Sequence, residues 1–326
     1  MNPKVSIVTP IYQTEAYLEK CLTALTNQTL NEIELIWVDN GANQSCKDII
    51  KSCQSKNVKL IVLSENIGYL GAMTAGLDAA TGDYVGFCDS DDWVDTDYYE
   101  KLYNTITQKQ ADIVYCGYSC EFEDHFVKEP LRTLELQNCK GAIFEALPAG
   151  SIWNALFKRS FIRNNNISFP KSVKSIYRDN TFSISACFCT RKYALDATAY
   201  YHYRQRETST VQGITKKEGA QSASEVISET FPKLPLEELS ETEVKIFTDF
   251  LFRTLPVRNI KKLPAEAAVL TKSEYFKKKY SNARTYHSPS VFQRLFSISY
   301  HPSKPFMKIR LLGITVKFKL KQRRCL

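Results

Sequence analysis

Gly82-Asp83-Tyr84-Val85-Gly86-Phe87-Cys88-Asp89-Ser90-Asp91-Asp92-Trp93 is the stretch that decides the fold. Its Tyr84–Cys88 portion is a short apolar run of the kind that forms a buried strand. Three carboxylates, Asp89, Asp91 and Asp92, follow within four residues. Carboxylates this close repel one another unless a cation or solvent relieves them. Hard oxygen donors at the carboxyl end of a strand suit Mg²⁺ or Mn²⁺, especially where a diphosphate adds further oxygens. A solvated acidic turn capping the next helix gives the same pattern, so the neighbouring segments must decide.

Upstream, Val5–Val8, Ile33–Val38 and Val58–Leu63 are further β-branched or apolar runs, and Ile113–Cys116 follows downstream. Amphipathic segments separate them. In Glu15–Asn27, for example, Leu18, Cys21, Leu22 and Leu25 fall on one helical face. Strands alternating with helices predict a mostly parallel sheet covered on both faces, with ligands beyond the carboxyl ends of its strands. Three strand ends carry suggestive residues: Thr9-Pro10-Ile11-Tyr12, Asp39-Asn40-Gly41 and Asp89-Ser90-Asp91. One crevice is expected to gather all three.

From about Phe122 to Gln212 the pattern is less regular, with a strand expected at Tyr200–Tyr203 and a helix from Asn180 to about Cys189. Ser240-Glu241-Thr242-Glu243 is a capping-box signal, followed by Val244, Phe247, Leu251 and Leu255 at helical spacing and a stop at Pro256. The expected organisation is an α/β domain over residues 1–215, a helical appendage over 216–300 and a basic tail over 301–326.

The chain has 326 residues, 44% of them hydrophobic, as befits a well-cored globular protein. No run of about 18 apolar residues occurs, so no transmembrane helix is expected. Met1-Asn2-Pro3-Lys4 leads straight into a strand without signal-peptide features, which predicts a cytoplasmic location. The ten cysteines include no CxxC, and the four histidines show no ligand-like pairing, so reduced structural thiols are expected. From His301 to Leu326 there are eight Lys or Arg and no acid; the remainder carries 35 residues of each sign. The net charge of +8 therefore sits in the tail.

Taken in order, Val5–Tyr12, Ile36–Gly41, Asn66-Ile67-Gly68 and Gly82–Trp93 resemble glycosyltransferase family 2. The resemblance continues through Trp153–Lys158 and Tyr177–Asn180 to Tyr201–Arg206. It implies an α/β GT-A nucleotide-diphospho-sugar transferase fold and an inverting, metal-dependent transfer of a hexosyl or N-acetylhexosaminyl group, with a UDP-sugar as the expected donor. By the resemblance, Asp91 and Asp89 of the DxD motif hold the metal, and Pro10, Tyr12, Glu15, Asp39, Gly68, Asp89, Ser90 and Asp91 bind the nucleotide sugar. Gly71 and Gly76 join Gly68 near the pyrophosphate. Asp179 matches the general base, while Trp153, Arg178, Tyr203, Arg204 and Arg206 are assigned to the acceptor or diphosphate. Each site residue also has a plain structural duty: Asp39 as a turn residue, Asp179 as a helix cap, Trp153 as a core ring.

Departures from the family pattern are Asn40 for Asp, Met73 for Arg, Ala155 for Lys and Arg178 for Glu. A cation at 178 is expected to depress the pKa of Asp179 and weaken it as a base. These departures motivate an alternative, a catalytically silent nucleotide-sugar-binding or scaffold protein of the same fold. The expected acceptor is a saccharide or lipid-linked saccharide in bacterial surface-polysaccharide assembly. In the tail, Ile314, Val316, Phe318 and Leu320 alternate with Thr315, Lys317, Lys319 and Lys321, a strand expected to pair with Met307–Leu311 across Gly313. Its apolar side packs on the body or its charge holds the protein peripherally at an anionic membrane surface, on the inner face of the membrane. Nucleic acid is not an expected partner.

Overall fold

The computed structural model describes residues 3–131, 143–147, 150–170, 179–206, 215–257, 260, 263–285, 296–300, 306–311 and 314–319. Strands β1 (Val5–Ile11), β2 (Ile33–Asp39) and β3 (Val58–Val62) alternate with helices α1 (Glu15–Thr26), α2 (Gln44–Cys53) and α3 (Tyr69–Ala79). After α3 come β4 (Tyr84–Phe87), the two-residue β5 (Trp93–Val94), α4 (Tyr98–Gln108), β6 (Ile113–Glu121) and β7 (Phe126–Glu129). Short α5 (Ile143–Ala146), β8 (Ala155–Lys158) and α6 (Arg159–Asn164) lead to α7 (Asp179–Cys189) and the long β9 (Tyr193–Arg204).

These strands form one sheet in the order β3-β2-β1-β4-β8-β6-β9-β5, with β7 paired to β6. β1 pairs parallel with both β2 and β4, and β2 with β3. β8 enters antiparallel between β4 and β6, and β6 runs parallel to β9. All seven residues of β1 are buried, as a central parallel strand covered on both faces requires. On α1 the buried positions are Leu18, Cys21, Leu22 and Leu25, the face expected from spacing. Helix α3 lies close on β1 because Gly76 has no side chain: a Cβ there would meet Val8 Cγ1 at 2.2 Å. Gly71 likewise faces its neighbour Ile67, so both glycines have a packing duty.

The chain leaves β1 toward β2 and β3 on one side and returns to β4 on the other, so the strand order reverses at β1. At such a point the loops beyond the carboxyl ends part and leave a crevice. In register, Ile11 stands beside Asp39 and Val8 beside Phe87, which brings the strand ends carrying Tyr12, Asp39 and Asp89 to one edge.

The helices α8 (Lys216–Thr230), α9 (Glu241–Thr254), α10 (Ala268–Thr271) and α11 (Glu274–Thr285) follow. The capping box at Ser240 and Glu243 is formed, and a second at Thr215 and Glu218 starts α8. Contacts divide the chain into two compact units, Met1–Phe276 and Lys277–Leu326. Within the first, α9 packs Phe247 and Phe250 on Phe144 of α5, and Phe247 reaches Phe188 of α7. These C-terminal helices thus share a core with the helix that carries Asp179.

The second unit contains a three-stranded antiparallel sheet of β10 (Phe296–Tyr300), β11 (Phe306–Leu311) and β12 (Ile314–Lys319). The tail hairpin is therefore present as expected between β11 and β12. Phe296–Tyr300, assigned from sequence to the helical appendage, is instead a strand of the tail's sheet; its apolar-polar alternation has a period of two. Leu320 and Lys321 lie outside the described residues.

Candidate active site

The acidic run is a tight loop beyond β4, closed by the Asp92 N–H donating to the Asp89 carbonyl at 3.1 Å. It is fixed from three directions. Thr14, just before α1, donates its hydroxyl to Ser90 Oγ at 3.0 Å. From β9, the Tyr201 hydroxyl accepts the Asp89 N–H at 3.0 Å and donates to Asp92 Oδ2 at 2.9 Å. Beyond it, Arg204 gives its N–H to Asp92 Oδ1 at 2.8 Å and its Nε to the Asp91 carbonyl at 2.7 Å. Asp92 is buried and spent on holding the loop. Burial, then Asp91 and Asp89, push its carboxyl well above the usual range.

Asp89 and Asp91 are the two carboxylates left to a ligand. Asp89 Oδ1 accepts the Tyr69 hydroxyl at 2.8 Å, and Asp91 Oδ2 is paired with Arg206 Nη2 at 2.5 Å. Burial, followed by the charge of Asp91, pushes Asp89 up to about 7. Asp179 adds to that shift, so its carboxylate acts on the same space from the first residue of α7. The Tyr69 phenol, whose hydroxyl lies against Asp89, is raised by desolvation of that hydroxyl and by the charges of Asp89, Asp179 and Asp91, although its ring is about 40% exposed. Among the described residues no group of three His, Cys, Asp or Glu could by itself enclose a metal ion. Two hard carboxylates that repel each other fit Mg²⁺ or Mn²⁺ when a diphosphate and water complete the shell.

Burial pushes Asp179 up to about 6, opposed by hydrogen bonds from its own and the Asn180 N–H groups. It therefore takes hydrogen bonds at the first turn of its helix while its charge acts on Asp89 in the acidic loop. The sequence reading expected Arg178 to depress this group; desolvation takes it the other way, and Arg178 lies outside the described residues.

At the neighbouring strand ends, Asp39 is buried and its Oδ1 accepts the Ala42 N–H at 2.7 Å, the turn duty. Asn40 donates Nδ2 to Asn66 Oδ1 at 3.0 Å and to the Gly68 carbonyl at 3.2 Å, and accepts the Ile67 N–H at 2.9 Å. Gly68, at φ 84°, turns this loop into α3. Pro10 is buried in β1 opposite Val38, while Tyr12, Ile67 and Tyr69 are about 40% exposed beside the same edge. Glu15 opens α1 and faces α2, taking hydrogen bonds from Asn43 and Cys46.

Trp153 is 8% exposed, stacked on Tyr201 at 4.6 Å and Tyr203 at 5.2 Å. Its ring packs in the core with these two tyrosines, the plain structural duty it was also given. Tyr203 serves that same stack. Met73 and Ala155, where the family commonly carries cations, are fully buried. The cations at the acidic loop come from the end of β9, where Arg204 spans Trp93 and Tyr17 and Arg206 lies over Tyr17 at 5.4 Å. Sequence reasoning missed Tyr69, Tyr201, Thr14 and Tyr17 as site residues. Tyr201 shares a strand face with Tyr203 by the period of two, and Tyr69 directly follows the Asn66-Ile67-Gly68 motif, so both left a signal.

The model of the family described as Glycosyl transferase family 2 matches residues 6–198. EpsH of Bacillus subtilis (strain 168), provisionally a glycosyltransferase, is 34% identical over 224 residues, which cover 66% of this chain and 65% of EpsH, less than two thirds of that relative. Among solved structures, S. aureus TarS 1–349 in complex with UDP-GlcNAc superposes with a TM-score of 0.68 at 18% identity, covering 97% of this chain and 99% of that one. The mannosyltransferase PcManGT from Pyrobaculum calidifontis, in complex with GDP-Man and Mn²⁺, gives 0.54 at 14% identity, covering 89% and 77%. These structural likenesses establish the GT-A fold.

Proposed function

The chain belongs to glycosyltransferase family 2, and on that premise we propose that it is an inverting, metal-dependent transferase acting on a nucleotide sugar, a UDP-sugar in particular. The observation that carries the reading is the pair of carboxylates Asp89 and Asp91 on the loop after β4, where Asp89 takes the Tyr69 hydroxyl at 2.8 Å and the charge of Asp179, at the start of α7, acts on both Asp89 and Tyr69. The first two carboxylates would hold Mn²⁺ or Mg²⁺, and the third faces the same space as a base. Metal bound there supplies positive charge to the departing diphosphate. The TarS complex with UDP-GlcNAc and the PcManGT complex with Mn²⁺ lend support by likeness of fold.

In the proposed reaction an acceptor hydroxyl attacks the anomeric carbon from the side opposite the leaving group. Its proton passes to a carboxylate oxygen of Asp179. The bond from the anomeric carbon to the diphosphate oxygen breaks, and its electron pair leaves with the nucleoside diphosphate. A carboxylate near pKa 6 suits this step, being ionised at neutral pH yet basic enough to take a proton. Buried Asp39 and exposed Tyr12 would receive the nucleoside, and Gly68 the backbone approach to it.

The acceptor proposed is a saccharide or lipid-linked saccharide in surface-polysaccharide assembly. Among the described residues no helix is long and apolar enough to cross a membrane. The eight basic residues of 301–326 support a peripheral contact with an anionic leaflet. Liposome flotation of a chain ending at Tyr300 tests that contact, and undiminished binding would remove it.

The deciding experiment is a thermal-shift panel of UDP, GDP and CDP, each with and without Mn²⁺. Stabilisation by UDP that needs Mn²⁺ and disappears in Asp91→Ala is expected. No shift with any nucleotide would overturn the proposal.

A further inference from the structure

We infer that the Arg206 guanidinium is a built-in occupant of the cation position at Asp91, so that a divalent ion gains this carboxylate only when a nucleotide diphosphate draws Arg206 away. The inference rests on the metal reading proposed above and adds a binding order to it.

The two arginines at the end of β9 are used differently. Arg204 is anchored through its backbone to Asp92 and through Nε to the Asp91 carbonyl, with its guanidinium against Trp93 and Tyr17. It is a fixed part of the loop's support. Arg206 lies two residues past β9 and touches the loop through one nitrogen, Nη2 on Asp91 Oδ2 at 2.5 Å. Its Nε is buried without a hydrogen-bond partner. Buried donors are nearly always satisfied, and an unmet one beside a ligand site marks a place for an acceptor. Arginine's planar fork of donors matches a phosphate, which would take Nε and an Nη together.

Charge gives the exchange its direction. The Arg206 guanidinium sets its single positive charge directly on Asp91 in the free protein. A divalent ion on Asp91 would sit against that guanidinium, like charge on like. A diphosphate removes the conflict by offering oxygens to both. Metal and nucleotide then strengthen each other's binding, and the coupling must be equal in both directions.

The experiment measures Mn²⁺ binding to the intact protein by electron paramagnetic resonance, with and without UDP. In the native chain Mn²⁺ is expected to bind weakly alone and at least about tenfold more tightly with UDP, a coupling within the usual range. Arg206→Gln is expected to bind Mn²⁺ alone about tenfold more tightly than the native chain, and to lose most of the enhancement by UDP. Lys20→Gln removes a nearby cation that does not touch Asp91, and should leave both values unchanged. If Arg206→Gln matches the native chain without UDP while UDP still promotes Mn²⁺ binding, the inference is overturned and the proposed function stands. An equal gain in Lys20→Gln would also overturn it, by making the effect one of general charge. If Mn²⁺ binds neither protein even with UDP, the metal reading itself falls and the inference with it. Arg206→Lys, which keeps the charge and loses the fork, is expected to restore weak Mn²⁺ binding without restoring the full enhancement.

Discussion

The Tyr201 hydroxyl lies 2.9 Å from Asp92 Oδ2 and joins β9 to the acidic loop across 109 residues of sequence. The same oxygen accepts the Asp89 N–H, so a single buried phenol sets both ends of the loop. Tyr201→Phe leaves a buried carboxyl and a buried N–H short of partners, at a cost of about 1–3 kcal/mol. Urea denaturation should show that loss, and the metal-dependent shift with UDP should shrink because Asp89 and Asp91 lose their setting.

Asp179 predicts two pH effects. The groups acting on it or feeling its charge are Asn180 on its own helix and Asp89, Tyr69 and Tyr115 across from it. With its carboxyl at about 6, transfer should fall as pH drops through 6, and Asp179→Asn should bind nucleotide yet transfer nothing. For stability, the fold keeps this proton to about pH 6 whereas the unfolded chain releases it near about 3.9. Between those values the folded state binds more protons, so the group's contribution to stability falls as pH rises through the window. Asp179→Asn should therefore melt higher than the native chain at pH 8 and gain little at pH 4. Melting curves at the two pH values check the sign.

Asn40 uses its amide as donor twice and as acceptor once. The family commonly has Asp there, yet Asn40→Asp in this chain would set a carboxylate oxygen against the Asn66 oxygen and the Gly68 carbonyl. A loss of about 1–3 kcal/mol is expected, read by denaturation. An unchanged midpoint would show that the 66–68 loop does not depend on this amide.

Gly76→Ala places a Cβ 2.2 Å from Val8 Cγ1, at the contact between α3 and the central strand. Overpacking of this kind costs about 1–3 kcal/mol. Val8→Ala in the same chain should recover part of the loss, since the two positions share one contact. Strict additivity of the two would place the strain elsewhere.

By itself the sequence determined what depends on short-range pattern. Continuous apolar runs marked parallel strands, helical spacing marked the buried face of α1, Ser240 and Glu243 marked a helix start, and strand ends at Tyr12, Asp39 and Asp89 marked the crevice. The helical or strand period of apolar residues and the capping of a helix start are local properties of nearby residues, so they can be read there. Only the tertiary structure decided how the acidic run is used. Tyr69 meets Asp89 across 20 residues, Tyr201 meets Asp92 across 109 and Arg206 meets Asp91 across 115. Those contacts depend on strand order and register, which put β9 two strands from β8 and its end beside the loop after β4. Desolvation is likewise a property of the packed molecule. It takes Asp179 up to about 6, while packing against Tyr201 and Tyr203 chose the core reading of Trp153 that the sequence left open.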